Sequence, residues 1–269
     1  MANLIGFTTN NILPLRIGEV VRAIMARRKV DAPMSYVLAT LIIERIFDSI
    51  ALLLCLVIPL AFTGIFPPSM MKIAQVMLYL LAGAVILLII LGYKPHAAEK
   101  SVVKLTGWFM KGHAHQKVQH FMGTFSQGIK ILQHTDVLLK VSALSVLHWG
   151  LIVLSFHWAF IGFSFDTLPW TAPFLTLGLV GLGVALPSAP AFIGPIHAAI
   201  IYALSSVYGL PNDDSAAFAV VMHLLMIAPV TVTGLIYMAR EGMSLGQLRR
   251  RAEHIEEDAE PSAATVASE

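Results

Sequence analysis

Glu44, Arg45 and Asp48 stand inside an otherwise apolar run from Met34 to about Pro59. A helix rises ~1.5 Å per residue, which sets Glu44 ~15 Å from Met34, near the middle of a ~30 Å hydrocarbon core. Each charge costs roughly 2.5–3.5 kcal/mol at that depth, so lipid is a poor neighbour for any of them. Two readings stand side by side. Arg45 and Asp48 are spaced i,i+3 and can bond to each other, giving an ion-paired knot that pins helices together. The sharper reading is a polar site inside a bundle, lining a path for something charged. Thr40, Glu44 and Asp48 share one face at i,i+4 spacing, with Arg45 and Ser49 beside it.

The elements that must hold these residues are membrane helices. Hydrophobic residues make up 57% of 269 and charged residues only 13%. Mean hydropathy is +0.76, too apolar for a soluble globule. A net charge of +2 is too small to imply nucleic acid. The single cysteine, Cys55, lies in an apolar segment and cannot form an intrachain disulfide. No Lys or Arg precedes Arg16, so no signal peptide is read.

Five apolar stretches are long enough for spans or near-spans, at about 34–59, 71–93, 137–161, 190–208 and 215–239. Two others are short and punctuated: Leu4–Leu13, running into Pro14, and Pro173–Leu186, running into Pro187-Ser188-Ala189-Pro190. Proline cannot continue a helix interior without losing a hydrogen bond. Both regions therefore read as broken or re-entrant helical hairpins, tolerated only where protein or water satisfies the freed backbone. The fold class expected is all-α, a polytopic helical membrane protein over residues 1–240 with a disordered cytoplasmic tail over 241–269.

Basic residues orient it. Arg22, Arg27, Arg28 and Lys29 precede the first full span, six lysines lie in 94–136, and Arg240 and Arg249-Arg250-Arg251 begin the tail. The other connections carry few charges, which places the basic ones and the C-terminus in the cytoplasm. Pro14-Leu15-Arg16-Ile17-Gly18 and Pro190-Ala191-Phe192-Ile193-Gly194 share the pattern Pro-x-x-Ile-Gly, and apolar helix follows each. The first would open from the cytoplasm and the second from outside, an arrangement that suggests an inverted-topology repeat. Within 94–136, Val118, Phe121, Met122, Phe125, Ile129 and Leu132 recur at helical spacing, as in an amphipathic helix lying on the cytoplasmic leaflet.

His148, His157, His197 and His223 lie in or beside apolar segments and read first as packing residues. His197 stands apart because it follows the Pro187–Pro195 break by half a turn. His113, His115 and His120 read as solvated interfacial residues rather than a metal site. No nucleophile elbow surrounds Ser188, and no phosphate-cradling glycine loop or cysteine framework is present. Neither cofactor nor metal is expected.

The run Asn10-Asn11-Ile12-Leu13-Pro14-Leu15-Arg16-Ile17-Gly18-Glu19-Val20-Val21-Arg22-Ala23, followed by Ile43-Glu44-Arg45-Ile46-Phe47-Asp48, resembles the signature of the lysylphosphatidylglycerol synthase transmembrane, or flippase-like, family. Leu186-Pro187-Ser188-Ala189-Pro190-Ala191-Phe192-Ile193-Gly194 is similar to that family's second motif, Pro-x-x-Pro-Gly-x-x-Gly. The likeness runs nearly to Arg240. Relatives usually have glycine where Ala191 stands and often glutamate near His197; Pro195 is unusual. They generally begin with further membrane helices, so a longer N-terminus is expected.

The resemblance implies a protein that moves lipids, or lipid-linked headgroups, between leaflets of the cytoplasmic membrane. The tail of about 30 polar residues is too short for the soluble synthase domain of bifunctional relatives, so synthase activity is not expected and the chain reads as a translocase rather than an enzyme. A phosphate headgroup needs fixed positive charge in a shielded cavity. Arg16, Arg22 and Arg45 are the candidates, with Glu19, Glu44 and Asp48 holding them or exchanging protons, and His197 also on the path. Pro14, Gly18, Pro187, Pro190 and Gly194 would supply breaks and hinges. The partners implied are anionic or polyprenyl-linked lipids. The alternative is a non-transporting membrane partner of a lipid-modifying or glycosyl-transferring enzyme; such an enzyme, or a second copy of the chain, is the protein partner considered.

Overall fold

The computed structural model describes residues 2–13, 17–64, 68–93, 113–185, 189–240 and 246. The expectations placed on Pro14, Arg16, Pro187 and Ser188, and on most of the tail, fall outside those residues. The first break separates helices α1 (Ala2–Ile12) and α2 (Ile17–Val30), which pack against each other as a hairpin. Helix α3 (Met34–Thr63) follows, 30 residues and so ~45 Å long. It starts after Pro33 and stops at Gly64, whose φ of 65° forms the left-handed cap that a side chain would strain. The middle of that helix falls at Asp48 and Ser49, with Glu44 about 7 Å to the N-terminal side of it.

Helix α4 (Pro68–Tyr93) presents Tyr79, Leu80 and other large apolar residues outward, as a lipid-facing helix should. Helix α5 (His113–Ile129) leads through a 3₁₀ turn into α6 (Thr135–Gly162), another long apolar helix with a largely exposed surface. Part of the apolar stripe of α5 is covered by protein, while Phe121 stays exposed. Met122, Phe125 and Ile129 pack onto Ala39, Ile43, Ile46 and Phe47 of α3. Gly128 permits that approach, since a Cβ there would stand 2.7 Å from Ala39 Cβ. Spacing alone showed an apolar face but not what covers it.

The second break separates α7 (Ala172–Ala185) from α8 (Pro195–Ile201), with a 3₁₀ turn at Pro190–Phe192 between them. Helix α8 widens into π-helical turns over Tyr202–Val207, and α9 (Asn212–Arg240) completes the bundle. Phe156, Phe160, Leu177, Ile196, Ile200, Leu204 and Phe218 form the main core between α6, α7, α8 and α9.

The packing is reciprocal. The first arm of each hairpin lies on the long helix that follows the other hairpin: α1 on α9, and α7 on α3. Glycines make both crossings close. A Cβ on Gly234 of α9 would collide with Thr8, and one on Gly178 of α7 would stand 2.6 Å from Leu56 of α3. The long helices also share a device. Pro59 in α3 and Pro229 in α9 each break a helical bond, and Thr63 and Thr233 donate back to those prolines' carbonyls at 2.8 and 2.6 Å. This is the pattern an internal repeat produces, and it extends the sequence match well beyond Pro-x-x-Ile-Gly.

Candidate functional site

Glycine draws α1 and α2 together. A Cβ on Gly18 would strike the Gly6 carbonyl and the Asn10 side chain, and one on Gly6 would stand 2.9 Å from Arg22 Cβ. Gly18 lies inside α2 and is buried, so its missing side chain serves close packing. Arg22, 4% exposed, is thereby pressed against α1, where its Nε donates to Asn3 Oδ1 at 2.7 Å.

From there Arg22 reaches across to α3. Its Nη2 donates to Glu44 Oε2, and its Nη1 faces Glu19 Oε2 at 4.0 Å. Arg45, whose side chain is 46% exposed, faces three carboxylates: Asp48 at 3.3 Å, Glu44 at 3.4 Å and Glu19 at 3.9 Å. Trp149 of α6 closes the set, its Nε1 donating to Asp48 Oδ1 at 3.2 Å. One connected network thus ties α1, α2, α3 and α6. It contains two arginines and three carboxylates, so one negative charge is left over among these five.

The two arginines are held differently. Arg22 is buried and bonded from two sides, which fixes it. Arg45 is open, and each of its contacts is longer than an ordinary charged hydrogen bond of ~2.7–2.9 Å. It can therefore exchange a carboxylate for another oxyanion at small cost. Arg22 could not do so without unpacking the hairpin.

The second break is built from histidines and strained backbone. Ala191 and Phe192 take φ of 57° and 56°, and Gly194, the N-cap of α8, takes 100°. Glycine is at home only at the last of these. His223, buried on α9, bonds the Ala191 carbonyl through Nε2 at 2.8 Å. His197 packs edge to face on His223 with ring centroids 4.5 Å apart, and its Nδ1 accepts from Gly194 N at 3.4 Å. Pro190 opens the 3₁₀ turn.

Sequence reasoning brought Glu19, Arg22, Glu44, Arg45 and Asp48 into one set, and the fold joins all five. His197 is placed beside His223 rather than beside the arginines. The link between the two regions is α1, which packs on α2, on the 190–192 turn and on α9. Its Thr8 donates to Val230 O at 3.2 Å and its Asn11 to Thr231 Oγ1 at 2.9 Å. Asn3, Trp149 and His223 were missed as partners. Nothing in a tryptophan's position along an apolar helix says which distant carboxylate it meets. His148 and His157, expected to pack, are exposed on α6. Among the described residues no group of three or more His, Cys, Asp or Glu could hold a metal.

The family profile described as the lysylphosphatidylglycerol synthase transmembrane region matches residues 1–234. A UPF0104 membrane protein of Methanocaldococcus jannaschii is 24% identical over 224 residues, covering 81% of this chain and 87% of the relative. No solved structure matches. Among the described residues four helices are long and apolar enough to cross a membrane: Met34–Thr63, Thr135–Gly162, Pro190–Val207 and Asn212–Arg240.

Proposed function

Because the chain belongs to the family of the lysylphosphatidylglycerol synthase transmembrane region, we propose that it moves lipids or lipid-linked headgroups between the leaflets of the cytoplasmic membrane. The observation that carries this reading is Arg45: a half-open guanidinium on a spanning helix, loosely held by three carboxylates. A phosphate entering from the side displaces those weak contacts, while Arg22 and Asn3 keep α1, α2 and α3 in register. The surrounding carboxylates hold Arg45 in waiting and re-pair with it when the headgroup leaves. Removing a phosphate from water is offset only where fixed charge meets it, and the loss of that charge should stop transfer.

The reciprocal hairpins supply the moving parts. In this reading the Glu19/Arg22 region and the Gly194/His197 region line one path, with α1 as their common wall and Glu44, Arg45 and Asp48 on its side. Basic residues before α3 and after α9 support a cytoplasmic position for the N-terminal hairpin's open end and the C-terminus. Cysteines introduced at Lys104 and Ser262 in a Cys55→Ser background should then resist impermeant thiol reagents in intact cells.

The test is reconstitution. Purified protein in liposomes carrying fluorescent phospholipid should expose inner-leaflet label to dithionite, and Arg45→Met should abolish that exposure. Wild-type protein that inserts but leaves the inner leaflet protected would instead favour the role of a non-transporting partner for a lipid-modifying enzyme.

A further inference from the structure

A second polar feature lies at the other end of α6, away from the arginines. The connection from Gly162 to Thr171 folds back on the last turns of that helix. Phe165 N donates to Phe160 O at 3.0 Å, Leu168 N to Phe165 O at 3.1 Å, and Ala172 N to Pro169 O at 2.8 Å. Ser164 makes the reversal at φ 58°. Phe160 and Phe165, 4% and 8% exposed, are backed by Phe163 and Phe218. Trp170 is set between Phe62 of α3 and Phe174 of α7, at 5.3 and 5.9 Å between ring centroids.

The result is a cavity of about 200 Å³ lined by the rings of His157, Phe160, Phe165 and Trp170, with Asp166 in its wall. Asp166 is the one charged residue between Lys140 and Asp213. No ion pair among the described residues involves it.

We propose that this aromatic cavity with its single carboxylate binds a substituted ammonium group. The faces of tryptophan and phenylalanine attract cations, and they also accept the methyl or methylene groups that such an ion carries. Asp166 supplies the counter-charge. A divalent metal would require several oxygen ligands, where one carboxylate faces it here. An anion would meet Asp166 with no basic partner. A nucleotide exceeds the volume, which is below the usual range of pockets for larger ligands, and a sugar would find one carboxylate among rings and prolines where its several hydroxyls need several polar partners. Trp158 and Trp170, 62% and 55% exposed, stand where a spanning helix ends and mark the water–membrane boundary. Both the amine of a lipid headgroup and a free small amine reach that level. This site does not depend on the role assigned to Arg45.

The full-length protein in nanodiscs of phosphatidylglycerol, which has no amine, provides the test. Tryptophan emission is titrated with choline, with ethanolamine and with uncharged 3,3-dimethylbutan-1-ol, which has the shape of choline. The two amines should change emission saturably and the alcohol should not. Asp166→Asn should raise the half-saturating concentration at least tenfold, and Trp170→Phe should remove most of the signal, both without shifting Tm. Adding phosphatidylethanolamine to the nanodisc separates the sources: competition with free choline identifies a lipid amine, and unchanged titration identifies a free one. Equal responses to choline and the alcohol, an Asp166→Asn variant that binds as tightly as wild type, or no saturable response to either amine would overturn the proposal.

Discussion

Removing the guanidinium at Arg22 and removing it at Arg45 should give opposite phenotypes, although the two residues share carboxylate partners. Arg22→Met leaves Glu44 without its closest cation, Asn3 without its donor, and a buried hairpin interface without its polar anchor. Breaking a buried pair from one side costs about 3–5 kcal/mol. Glu44 is 38% exposed and keeps Arg45 at 3.4 Å, so the lower end, about 3 kcal/mol, applies. At about 2–4 °C per kcal/mol for a chain of this size, Tm should fall by about 6–12 °C. Arg45→Met removes contacts of 3.3–3.9 Å from a side chain that is 46% exposed. Such pairs contribute about 0.2–1 kcal/mol, which caps the fall in Tm at about 4 °C. Thermal unfolding of the purified protein, followed by tryptophan emission, gives the stability arm. Dithionite protection in proteoliposomes, measured well below both Tm values, gives the functional arm. Arg45→Met should remain folded and lose at least tenfold in lipid transfer, whereas loss in Arg22→Met should follow the folded fraction. If Arg45→Met unfolds as readily as Arg22→Met, the division into an anchoring and an exchanging arginine is wrong.

Other perturbations probe neighbouring parts of the argument. Arg45→Met combined with Asp48→Leu removes one charge of each sign, so it should fold nearly as well as wild type yet fail to move lipid; full activity in proteoliposomes would leave only the ion-paired knot. Gly234→Val should force α9 off Thr8 and break the Thr8–Val230 bond, costing about 1–3 kcal/mol on the same unfolding assay, and Gly178→Val should cost a similar amount at the reciprocal crossing. His223→Leu leaves the Ala191 carbonyl without its partner inside the bundle, for about 1–3 kcal/mol, while His197→Leu loses only a 3.4 Å contact and should be milder.

Much of the architecture was legible because membrane helices announce themselves by length and composition. The runs near 34–59, 137–161 and 215–239 became α3, α6 and α9 with ends shifted by only a few residues. Proline and glycine marked both breaks, since neither local chemistry depends on a distant partner. Periodicity found the apolar stripe of α5 for the same reason. It could not show that α3 covers that stripe, because the glycine contact at Gly128 and Ala39 exists only once the chain has folded. The histidines of α6 and α9 show the same gap: a mostly apolar helix has no clear polar face from which to read register, so His148 and His157 of α6 proved exposed while His223 of α9 proved buried.

What the sequence determined by itself is the class of molecule and the membership of the charged set. Hydrophobic run length is a property of the chain, and charges too costly for lipid must find one another wherever the helices allow. Tertiary structure decided the rest. It made Arg22 an anchor and left Arg45 open, a difference of burial that two arginines on apolar helices cannot display in their own spacing. It also set α1 on α9 and α7 on α3, because close helix crossings depend on glycines meeting particular side chains across hundreds of residues. Local sequence chooses the helices; only their packing chooses which charge stays exposed.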